Sequence, residues 1–279
     1  MDRAAVLWRN LAMRFILASF VILALCVQPG FAQETEVDVE LVLAVDISRS
    51  MNPVELEIQR KGYAAALTSP AVVAAIRGGM LGRIALTYVE WAGSQHQQVI
   101  VPWTLIENQA DAEQVAAMIL AHQTYGARQT SISSALVYGA AAIEANEFRG
   151  LRRVIDVSGD GPNNMGPQVD LIRDEIVARG IIINGIPLMT RDALSSRFSI
   201  DELDLYYAAC VIGGPGAFVI PVREWTEFAN AVRQKLVLEI AGLPMQLVPA
   251  AAAFPPSPTD CLIGEKLWET YRPFNDSDF

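Results

Sequence analysis

Leu41-Val-Leu-Ala-Val45 is an unbroken apolar run that stops at Asp46. Runs of this length with β-branched residues predict a strand buried on both faces. Further strand candidates follow along the chain, and Arg83 to Trp91 alternates well enough for one. Arg83 to Trp91 and Gln97 to Trp103 flank the short turn Ala92-Gly-Ser94, which predicts an antiparallel hairpin, and Pro102 places its second strand at an edge. Leu151 to Ser158, Ile181 to Ile186 and Ala217 to Ile220 complete the predicted strands. Between them the apolar positions change to helical spacing. Helices are predicted from Pro53 to about Leu67, over Asn108–His122, over Ser131–Asn146, over Pro167–Arg179 and from Val222 to Ile240. In the last of these, Trp225, Phe228, Val232, Leu236 and Ile240 form a stripe that faces the core. Ser69-Pro70 reads as a break, followed by a short apolar turn.

Strands alternating with helices predict an α/β fold: a doubly wound, mostly parallel sheet with one antiparallel edge strand and helices on both faces. In such a sheet ligands are bound where strands end, at the switch point between the first and fourth strands. The loops reaching that point carry hard oxygen groups: Asp46, Ser48 and Ser50 after the first strand, Thr130 before a helix, and Asp160 after the fourth strand. Two carboxylates and three hydroxyls suit Mg2+, with Mn2+ or Ca2+ as alternatives. No Cys or His lies in the set, which speaks against zinc. The alternative reading is helix capping by Asp or Ser.

These residues resemble a known family. Asp46-Ile-Ser48-Arg-Ser50, Thr130 and Ser158-Gly-Asp160-Gly161 resemble, in order, the three parts of the metal-ion-dependent adhesion site (MIDAS) of the von Willebrand factor A (vWA) domain. The resemblance covers about residues 39–240 and is closest to uncharacterised exported bacterial proteins of this type. It implies a Rossmann-like fold in which Ser48, Ser50 and Thr130 hold the ion directly, Asp46 and Asp160 directly or through water, and a partner's exposed Asp or Glu completes the coordination. The chain departs from the family pattern at Arg128-Gln129, where glycines often stand, and at Gly159, often Thr.

Composition narrows the remaining choices. The chain has 279 residues, 52% of them hydrophobic, and a net charge of -10. An acidic balance excludes a nucleic-acid footprint. Arg3, Arg9 and Arg14 precede the apolar stretch Phe15–Val27 and then Gly30-Phe-Ala32, which predicts a signal peptide over residues 1–32 and a periplasmic or secreted protein without a membrane span after cleavage. The domain is expected over residues 33–241 and a Pro/Ala-rich tail over 242–279. Of the three cysteines, Cys210 and Cys261 remain after cleavage, and an oxidising compartment favours a disulfide between them over two free thiols.

The expected function is thus a non-enzymatic, metal-dependent protein-interaction module. Two alternatives stand beside it. A haloacid-dehalogenase-like phosphatase would use Asp46 as nucleophile, but Ser48 stands where that chemistry needs an acid. A scaffold with a non-functional site would leave Asp46 and Asp160 without a cation to separate them.

Overall fold

A computed structural model describes residues 34–190, 198–242 and 259–275, with side chains through Tyr271. The expected signal peptide and most of the Pro/Ala-rich tail lie outside the described residues. Five strands form one sheet: β1 (Thr35–Asp46), β2 (Ile84–Trp91), β3 (Gln97–Ile106), β4 (Phe148–Gly159) and β5 (Ile182–Pro187). Their order is β3-β2-β1-β4-β5. All neighbours are parallel except β2 and β3, the hairpin at one edge.

Strand β1 is central, and its side chains alternate between two cores. Leu41, Leu43 and Val45 pack with the helices α1 (Pro53–Leu67), α2 (Pro70–Arg77), α3 (Gln109–Ala121) and α7 (Phe228–Ala241). Val42 and Ala44 pack with α4 (Ile132–Glu144), α5 (Val169–Ala178) and the short α6 (Leu203–Tyr206) on the other face. With both faces covered, an apolar residue is favoured at every position, which is why the run does not alternate with polar residues.

Several elements differ from the sequence-based expectation, among them the helices α6 and α8 (Ile263–Asn275), which were not expected. The segment after Ser69-Pro70 is a helix, α2, because Ser69 caps it by accepting from Val72 N and proline is tolerated in a first turn. Ala217–Ile220 is not a strand: its pairing with β5 is limited to the isolated bridge Gly185–Val219. The segment leading into α7 begins as the 3₁₀ turn Trp225–Glu227.

After α6 a π-helical turn, Tyr207–Val211, continues the chain. Its Cys210 is disulfide-bonded to Cys261, which precedes the amphipathic helix α8 (Ile263–Asn275). On α8, Gly264 packs so closely on the loop after β4 that a Cβ would stand 2.0 Å from Asn163 O.

Candidate metal centre

The first loop of the site runs from Asp46 to Asn52. Asp46 ends β1, and its backbone carbonyl accepts from the buried Gln59 Nε2 at 2.9 Å. Asp46 Oδ1 accepts from Ser48 N at 2.7 Å, which curls the loop back over the strand end. The cap of α1 is Asn52: its side chain accepts from Val54 N and Glu55 N, while Glu55 Oε2 accepts from Asn52 N at 2.7 Å. This capping box satisfies the helix start without Asp46, Ser48 or Ser50. Capping therefore does not account for those three residues.

The second loop precedes α4. Ala127 N donates to Ile47 O, Ala127 bridges Ser48, and Ser131 N donates to Ala92 O. These bonds hold the loop against the ends of β1 and β2. Gln129 takes the left-handed conformation, φ 70°, the one non-glycine residue to do so among those described. The glycine-like geometry is thus kept without glycine. Thr130 is buried, and it is clamped to the third loop by Thr130 N donating to Asn164 Oδ1 and Asn164 N donating to Thr130 O. The cap of α4 is Ser131, not Thr130.

The third loop supplies Asp160. Its Oδ1 accepts from Ser50 Oγ at 2.7 Å, with Ser48 Oγ at 3.4 Å, and the two serine oxygens are 2.9 Å apart. Asp46, Ser48 and Asp160 are buried. Asp46 Oδ2 and Asp160 Oδ2 have no hydrogen-bond partner among the described residues. Burial, then the nearness of Asp160, pushes the Asp46 carboxyl well above its usual range. Burial raises that of Asp160 to about 6, opposed by the Ser50 and Ser48 hydroxyls. Two buried carboxylates with orphaned oxygens and converging hydroxyls form an anionic, oxygen-only donor set, the chemistry a hard dication requires. Among the described residues, no three His, Cys, Asp or Glu side chains group as a metal site elsewhere or here, so any ion must rely on the hydroxyls.

Sequence reasoning missed the residues that tie this site together. Asn163 Oδ1 accepts from Ser133 N, and Asn163 Nδ2 donates to Glu265 Oε1 on α8. In the sequence Asn163 and Asn164 stand simply in the turn that follows Asp160.

Residues 36–244 match the family model described as "Protein of unknown function (DUF1194)". The chain belongs to the DUF1194 family. No curated protein matches it in sequence. Solved structures similar to this DUF1194 member include proximal thread matrix protein 1 from the mussel byssus with a zinc-occupied MIDAS motif: 16% identity, 75% of this chain, 49% of that chain, TM-score 0.51. The pilus adhesin SpaC from Lactobacillus rhamnosus GG is similar at 12% identity over 75% of this chain and 31% of that chain, TM-score 0.53. A von Willebrand factor type A protein from Catenulispora acidiphila matches at 12% identity over 74% of this chain and 43% of that chain, TM-score 0.49. The chain spans half or less of the length of these proteins. At these identities the likeness is one of fold alone: this DUF1194 protein shares a Rossmann-like α/β fold with the mussel protein and SpaC.

Proposed function

We propose that this DUF1194 protein is an exported, metal-dependent protein-interaction module and not an enzyme. The observation that carries the proposal is the convergence of Asp46, Ser48, Ser50 and Asp160 with two buried, unpartnered carboxylate oxygens. Ser48, Ser50 and Thr130 would supply hydroxyl donors, and Asp46 and Asp160 the negative charge. Mg2+ fits this set, with Mn2+ or Ca2+ as alternatives. The zinc in the MIDAS motif of the mussel protein supports a role for metal in such a site, and it adds zinc to the ions that deserve testing. The bound ion would act as a Lewis acid toward an acidic group of a partner.

The chain's own residues prepare the loops for that role. The Asn52–Glu55 capping box fixes the Ser50 loop, and the Thr130–Asn164 clamp fixes the other two loops against each other. The rim offers an exposed Arg49, which favours an acidic partner. Neighbours named as a matrix protein and a pilus adhesin support an interaction role. Among the described residues no helix is long and apolar enough to cross a membrane.

The test is capture of protein partners from an envelope extract with Mg2+, compared between wild type and Asp160→Ala. The proposal expects partners that the chelator releases and that Asp160→Ala does not capture. Partners that survive chelation would favour the scaffold. Turnover of generic phosphate esters, lost in Asp46→Asn, would favour the phosphatase.

A further inference from the structure

The position where the vWA pattern often has Thr is Gly159, and the structure shows what takes its place. A Cβ at residue 159 would lie 2.7 Å from Tyr207 Oη, 3.0 Å from Asp46 Oδ2 and 3.5 Å from Trp91 Cζ2. A phenol from the π-turn and the outer oxygen of Asp46 thus face the same bare backbone carbon. Both are fully buried, and neither has a hydrogen-bond partner among the described residues. Burying a hydroxyl and a carboxylate oxygen side by side is costly unless each satisfies the other.

Tyr207 has little freedom to turn elsewhere. Its ring packs on Gly185, where a Cβ would stand 2.6 Å from Cδ1, and edge-on against Tyr206. Ile212 N donates to Tyr207 O, which closes the π-turn. Three residues on, Cys210 ties the turn to Cys261. Single π-turns often mark functional positions. This one begins at Tyr207, whose phenol oxygen would stand 2.7 Å from a Cβ at residue 159.

We propose that Tyr207 is a positioning residue for the metal centre, its hydroxyl donating to Asp46 Oδ2, directly or through one water, in the role a hydroxyl at residue 159 would otherwise fill. The proposal rests on Asp46 being a ligand only for its effect on metal. The contact with Asp46 itself is independent of that reading. Fixing Oδ2 keeps Oδ1 on Ser48 N and holds the carboxylate orientation that the ion meets. Groups that orient a ligand in this way typically change metal affinity about 10–100-fold.

The experiment combines calorimetric Mg2+ titration with unfolding midpoints of the metal-free protein for wild type, Tyr207→Phe, Asp46→Asn and the double variant. Tyr63→Phe is the control, because that tyrosine is also fully buried with an unpartnered hydroxyl but packs in the core on the opposite face of the sheet. The expected result is about tenfold weaker Mg2+ binding in Tyr207→Phe, unchanged binding in Tyr63→Phe, and midpoint shifts of Tyr207→Phe and Asp46→Asn that are not additive. Adding Gly159→Ser to Tyr207→Phe should recover part of the affinity, since the phenol oxygen that blocks a Cβ is then gone. Additive midpoints overturn the proposal, as does an affinity within twofold of a wild type that binds Mg2+. A wild type that binds no metal overturns the proposed function instead, and the midpoints alone then decide on Tyr207.

Discussion

Ser50 Oγ donates to Asp160 Oδ1 at 2.7 Å across 110 residues of chain, joining the loops after β1 and β4 at the centre of the sheet. In the metal-free protein this bond only partly offsets the burial that lifts the Asp160 carboxyl to about 6. Asp46 is also raised, by burial and by Asp160, and Asp156 deeper in the sheet is raised to about 7 by burial and then by Glu239. Each folded-state value lies above the unfolded one, near 3.9. The folded protein therefore keeps protons that the unfolded chain has lost. Stability from Asp160 and Asp156 is fully present below about pH 4 and is lost as pH rises through about 6 to 7, and Asp46 contributes in the same direction. Melting temperatures in chelator should show this decline, and excess Mg2+ should flatten it by replacing the protons at Asp46 and Asp160. Identical profiles with and without Mg2+ would count against the site.

Asp156 belongs to a second charged cluster, apart from the candidate site. Lys235 on α7 is fully buried, with Nζ 2.7 Å from Asp156 Oδ1 and paired to Glu239 one turn along. The Asp156 contact is close enough for an ion pair but lies outside hydrogen-bond geometry. Asn184 Nδ2 donates to Glu239 Oε1, and the Phe218 ring lies 5.0 Å from Nζ. Lys235→Met would leave two buried carboxylates without a cation, and an unfolding titration should show a loss of about 3–5 kcal/mol. Adding Asp156→Asn and Glu239→Gln should recover much of it.

The Cys210–Cys261 disulfide closes a loop with a sequence separation of 51 and places α8 on the loop of the candidate site. Chain entropy alone assigns such a crosslink about 4 kcal/mol, or roughly 10 °C of melting temperature for a domain of this size. Cys210→Ala with Cys261→Ala should show that loss by calorimetry. It should also weaken Mg2+ binding, because Glu265 on α8 holds Asn163, which in turn braces α4 through Ser133.

Gln129 holds a left-handed conformation at φ 70°. A side chain there costs about 1–2 kcal/mol, of which glycine's greater unfolded freedom returns a part. Gln129→Gly should raise stability by up to about 1 kcal/mol in a denaturant titration. A loss of stability would mean that the Gln129 side chain contributes more than the strain it imposes.

Much of the architecture was legible because both faces of the sheet are covered. That made β1 readable as an unbroken apolar run, alternation marked β2, and Pro53 at the first turn marked the start of α1. That Asp46, Ser48, Ser50 and Asp160 would meet was legible because each sits within a few residues of a strand end, and the switch-point order brings those ends together. What was hidden depends on contacts with no local signal. Ala217–Ile220 has strand-like residues, yet only single bridges form there. Ser69-Pro70 looks like a stop and is instead a capped start. Tyr207 lies between the predicted strands, and nothing in its neighbourhood announces a π-turn whose phenol shares the Gly159 backbone with Asp46.

Whether Asp46 and Asp160 hold a divalent cation is decided by calorimetric titration of Mg2+ into the protein, with Asp46→Ala and Asp160→Ala alongside. Saturable one-to-one binding is expected in the wild type and its loss in both variants. Equal binding in all three proteins, or none in the wild type, would contradict that assignment.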